Sequence, residues 1–222
     1  MSDINVQLVR EFFELQLFRV LTNWQQHPGL SSEHPAQIFV ENTQDVEEAL
    51  SDSPKPADVL LALDQVASLD RAIVEVRAWH GDRLYPSIIE SNPVLHQFSK
   101  REGSSLAAEF FGNRPCHTVL VVSELPASIE PRHRALQLLQ GYGIDYVIEF
   151  PTILHGILLK MSEGVAYTGS ATLQTMRLLK RYRFLRNQQM EFGFVDELSL
   201  PAGPTRVDTV VLPEEEQEEL FT

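Results

Sequence analysis

The pattern that most constrains the fold is a strand, a helix and a strand within residues 117–150. His117–Val122 reads His-Thr-Val-Leu-Val-Val, a near-continuous apolar run of the kind found in strands buried on both faces. Pro131–Leu139 reads as a helix, with Pro131 in its first turn and Gly141 just past its end. Ile144–Phe150 is a second strand. Two strands joined through a helix of this length pair in parallel by a right-handed crossover. The chain is therefore α/β, with a sheet that helices flank.

The remaining elements fit around that unit. Ile4–Val20 reads as a helix whose Val6, Val9, Phe13 and Leu17 form one stripe, with Gln7, Arg10 and Glu14 on another side and Glu11 near Leu15 and Phe18. Arg19–Trp24 and Gln37–Glu41 are extended pieces separated by the turn-rich His27-Pro28-Gly29. Ala57–Leu63 and Ala72–Trp79 are short, apolar and bounded by polar turns, and both read as strands. A mainly helical stretch, Pro86–Phe111, breaks around Gly103, and further helices are expected over Ile153–Met161 and Ala171–Leu185. After that Pro201, Pro204 and Pro213 interrupt the chain, and a mobile tail is expected. There is no internal repeat.

Charge is placed unevenly. The 222 residues carry a net −13, yet Glu41–Asp52 holds five acids without a base and Pro213–Thr222 holds five more. The rest of the chain stands at −3 and includes a basic run, Arg177, Lys180, Arg181, Arg183 and Arg186, uninterrupted by an acid. At 100° per residue Arg177, Lys180 and Arg181 share one side of the expected helix, opposite Leu178, Tyr182 and Leu185. That side is either a solvated face or a ridge that tracks nucleic-acid phosphates.

Several chemistries lack their residues. The single Cys116 excludes an intramolecular disulfide and a multi-cysteine zinc site. No Walker-type loop is present, Gly141-Tyr142-Gly143 lies between a helix and a strand, and the seven histidines show no HExxH. Ser123 lacks the G-x-S-x-G elbow. No apolar run approaches the length of a membrane span, and no signal peptide is read, so no membrane association and a cytoplasmic location are expected.

What remains is two acids inside apolar strands, Asp58 and Glu75, where a charge is costly unless paired or bound to metal. Alternation places Glu75 on one face with Ile73, Arg77 and Trp79, and Asp58 on one face with Leu60 and Ala62. If the two strands are neighbours, both carboxylates and Arg77 converge. Two carboxylates and a backbone carbonyl suit Mg²⁺ or Mn²⁺.

Pro56-Ala57-Asp58, followed 17 positions later by Glu75-Val76-Arg77, resembles the signature of the PD-(D/E)XK nuclease superfamily. The order of elements from Asn5 to Phe150 is similar as well. The resemblance implies a restriction-endonuclease-like mixed sheet flanked by helices over residues 1–150; beyond it are expected an α-helical C-terminal extension over 151–197 and the tail over 198–222. It implies that Asp58 and Glu75 hold the metal with the Val76 carbonyl, and that Glu11 or Glu14 adds an acid from the first helix. Gln97 would be a supporting polar group. Arg77 departs from the family's usual Lys: it braces a phosphate, but a guanidinium cannot serve as a base. The end of the chain, Gln217-Glu218-Glu219-Leu220-Phe221, resembles the Q-x-x-L-F peptides that dock on the bacterial sliding clamp.

Two functions follow as expectations. The first is a metal-dependent DNA nuclease of repair or replication, with Arg177, Lys180 and Arg181 on DNA and Gln217, Leu220 and Phe221 on the clamp. The second is a catalytically degenerate adaptor of the same fold that binds DNA or a protein partner without cleavage.

Overall fold

A computed structural model describes residues 3–22, 37–43, 58–92, 110–112 and 114–185. The contacts divide the chain at Arg186, and everything described lies on the Met1–Arg186 side. In order, the elements are α1 (Asp3–Leu15), β1 (Phe18–Thr22), β2 (Gln37–Asn42), α2 (Leu63–Val66), β3 (Arg71–Arg77), α3 (Pro86–Ser91), β4 (His117–Val122), α4 (Ile129–Gly141), β5 (Tyr146–Glu149), α5 (Phe150–Lys160) and α6 (Ala171–Arg181).

The five strands form one mixed sheet in the order β1-β2-β3-β4-β5. β1, β2 and β3 run antiparallel as a meander, and β3, β4 and β5 are parallel. The expected parallel pairing is present: β4 pairs with β5, joined through α4.

Both faces of the sheet are covered, so the central strands lose the polar alternation of a half-exposed sheet. Every residue of β3 from Ala72 to Val76 is buried. On one face Phe39, Ile73, Leu120, Val122 and Val147 pack with Leu84, Ile89 of α3 and Ala135 and Leu139 of α4. Their strand neighbours Ile38, Val40, Val74, Val76 and Val121 point the other way. That second face meets α1, which also packs on α5 and α6.

The α1–α5 contact is close because Gly156 has no side chain: a Cβ there would run into the Phe12 ring and Leu63. Phe12, Phe13 and Phe18 stack edge to face, with centroids 5.2 and 5.3 Å apart, and carry the chain from α1 into β1. The helix expected to reach Val20 ends at Leu15 instead. Leu17 adopts φ 67°, and the strand begins at Phe18, where β2 supplies ladder partners.

The strand expected over 57–63 is not a strand. Leu60 makes a single parallel bridge to Val147, Leu61 N–H donates to Val147 O, and α2 begins at Leu63. This short segment lies on the far side of β5. β3 cannot take it, because β2 and β4 already occupy both of its edges.

Candidate functional site

Glu75 and Arg77 sit two residues apart on β3, so their side chains share the sheet face that carries Ile73, as alternation requires. The Glu75 side chain is 1% exposed and that of Arg77 12%. Arg77 Nε donates to Glu75 Oε1 at 2.5 Å. Burial raises the Glu75 carboxyl above its ordinary pKa, and the Arg77 guanidinium opposes that rise without cancelling it. Arg77 Nη2 is buried with no hydrogen-bond partner.

A second carboxylate at this end of the face, Glu149, is also neutralised from within. Arg77 is level with Val122 on β4, and Val122 with Glu149 on β5. Glu149 Oε1 accepts the Leu125 N–H at 2.7 Å, and Oε2 accepts from Arg132 at 2.6 Å. It thereby ties the end of β5 to the start of α4.

The structure does not bring Asp58 to Glu75. Asp58 is exposed at a bend two residues before the Leu60–Val147 bridge. The bridge lies three strand spacings from β3, roughly 14 Å at about 4.8 Å per strand. The expected convergence of Asp58 and Glu75 required neighbouring strands, and that condition fails. Directly across from Glu75 on β2 is Gln37. Val76, paired with Val121, turns its side chain into the opposite core.

Glu11 does not join Glu75 either. It lies on α1, against the other face of the sheet, and is 4% exposed. Its Oε1 accepts from Gln7 Nε2 at 3.0 Å and from the Ser170 hydroxyl, while Oε2 is buried without a partner. Ser170 also accepts the Leu173 N–H as the N-cap of α6. Glu11 therefore holds the start of α6 to α1. Glu14 is exposed and pairs with Arg10.

These residues do not fit a divalent cation. Among the described residues no three His, Cys, Asp or Glu stand together as a metal-holding group. Glu75 faces a guanidinium where a metal would need its lone pairs, and a second positive charge there would meet the first.

The basic ridge is also changed. Lys180 Nζ donates to Leu158 O at 2.7 Å and to Met161 O at 3.0 Å, so it caps the C-terminal carbonyls of α5. Arg177 donates to Gln174 Oε1 and to Glu163 O. Both are turned onto their own chain, and Arg181 is exposed. Sequence reasoning found the cations but not these carbonyl acceptors, which are set by how α5 and α6 pack. The Ser170 cap carried a local signal, a Ser directly before a helical run. Gln97, Gln217, Leu220 and Phe221 lie outside the described residues.

No family model, no curated protein and no solved structure matches this chain. What the fold defines is a mixed α/β protein with a five-stranded sheet flanked by helices. No described helix is long and apolar enough to cross a membrane.

Proposed function

We propose that this chain is an adaptor with a PD-(D/E)XK-like core, one that binds a partner and does not cut phosphodiesters. The observation that carries the reading is the Arg77 guanidinium on Glu75. A metal-dependent hydrolase needs that carboxylate free to hold the cation that activates water. Here an internal cation takes it, and Asp58, the second ligand the resemblance calls for, stands three strands away.

The arrangement supplies no substitute chemistry. The Arg77 guanidinium has five N–H donors and no acceptor, so it cannot take a proton from water. What the pair does supply is a neutral, buried end to β3 that holds its geometry without a cofactor.

The experiment is an incubation with single-stranded, duplex and branched DNA in Mg²⁺ or Mn²⁺. The adaptor reading expects no cleavage of any substrate. Cleavage that Glu75→Gln abolishes would replace it with the nuclease.

A further inference from the structure

α6 is amphipathic in an unusual sense. Its inner side carries Leu173 but also Lys180, whose ammonium is spent on α5. Its outer side carries Leu178 and Leu179, and the turn that ends it carries Tyr182, 67% exposed, and Phe184, 72% exposed. A helix that needed only to cover α5 and α1 would place polar residues there. Beside this stripe stand Arg181 and Arg183, both exposed, with no side-chain acceptor for either guanidinium among the described residues. Arg183 adopts φ 61° as the helix unwinds, which turns the last residues of the stripe sideways.

We infer that the outer face of α6 and its C-terminal turn form a docking surface for an acidic, leucine- or phenylalanine-bearing peptide segment of another protein. Exposed aromatic and leucine side chains supply the desolvating contact, and the two exposed arginines supply selectivity for acids. The charge pattern argues against two other occupants. A second copy that met this face with its own α6 would set Arg181 and Arg183 against their equivalents. Nucleic acid gains from phosphate neutralisation, and two cations beside an apolar stripe offer little of it. This inference rests on the adaptor reading, since it names the class of partner the adaptor holds.

The test uses the full chain and a fluorescein-labelled helical peptide of about four turns, with Leu and Phe at i, i+3, i+4 and i+7 and Glu elsewhere. The expected result is saturable binding at about 0.15 M salt, weakened about tenfold or more by Leu178→Ser with Tyr182→Ser and likewise by Arg181→Glu with Arg183→Glu. All four positions are exposed, and far-ultraviolet circular dichroism checks that each variant is folded. Absence of binding, or binding that neither variant weakens, overturns the inference. So does preference for the same peptide with Lys in place of Glu, for phosphatidylserine vesicles or for single-stranded DNA. Self-association through these residues, seen by sedimentation, overturns it too. Failure here leaves the cleavage assay unaffected, and cleavage by the wild-type chain would overturn the adaptor while peptide binding stood.

Discussion

Arg77 donates through Nε to the carboxylate of Glu75, two residues back on the same strand, with both side chains almost wholly out of solvent. Removing two charges from water is expensive, and their attraction repays the cost only while both are present. The pair therefore acts as a unit, and the variants that test it must be read as a cycle.

Arg77→Met should destabilise the fold by about 3–5 kcal/mol at neutral pH, because it leaves a lone buried carboxylate. Glu75→Gln should also destabilise, by stranding the guanidinium. The double variant should recover much of the loss, since an apolar and a neutral group of similar size no longer carry a desolvated charge. Urea unfolding measures all three. The Arg77→Met penalty should shrink on acidification: the Glu75 pKa is raised in the folded state, so protonation relieves the penalty below that pKa and ionisation restores it as pH rises.

Glu41 titrates in the opposite direction. Burial alone would raise it, but Arg71, 3.1 Å away, and Arg114, 2.7 Å away, outweigh burial and lower its pKa below 4.5. Its contribution to stability is present above 4.5 and is lost as pH falls through the lowered value. The thermal midpoint of Glu41→Gln should therefore lie below that of the wild type at neutral pH and approach it in strong acid.

Gly156→Val should be among the most destabilising single changes in α5, despite the better helix propensity of most residues over glycine. Phe12 and Leu63 leave no room for its side chain, so α1 and α5 must separate. A loss of about 1–3 kcal/mol is expected from denaturant unfolding, and a smaller one for Gly156→Ala.

Lys180 and Arg181 are neighbours in sequence with different work. Lys180→Met should cost about 1 kcal/mol of stability by freeing the α5 carbonyls, with no change in any partner affinity beyond that. Arg181→Glu should leave stability within about 0.5 kcal/mol of the wild type. A basic ridge of the kind expected from the helical projection would instead show equal losses of DNA affinity for both variants.

The parallel half of the sheet was legible because burial on both faces writes continuous apolar runs, and His117–Val122 forms a strand over the bounds expected. Ala72–Trp79 was legible for the same reason. Ala57–Leu63 misled in its placement: its composition is that of a strand, but both edges of β3 are filled by other strands, and the segment meets only the outer edge of β5, through the single Leu60–Val147 bridge. That error carried the candidate site with it, since Asp58 could reach Glu75 only from a neighbouring strand. The Glu75–Arg77 contact itself followed from the two-residue period. Whether Arg77 serves a phosphate or the carboxylate beside it depends on packing that alternation does not encode. The inward turn of Lys180 was equally hidden, because its acceptors are carbonyls of another helix.

The Arg77 guanidinium takes the Glu75 carboxylate that a metal would need. Titration of the full chain with Mn²⁺, followed by electron paramagnetic resonance of the free ion, tests it directly. Glu75→Gln should take up the same amount of Mn²⁺ as the wild type. A stoichiometric site in the wild type that Glu75→Gln removes would contradict it.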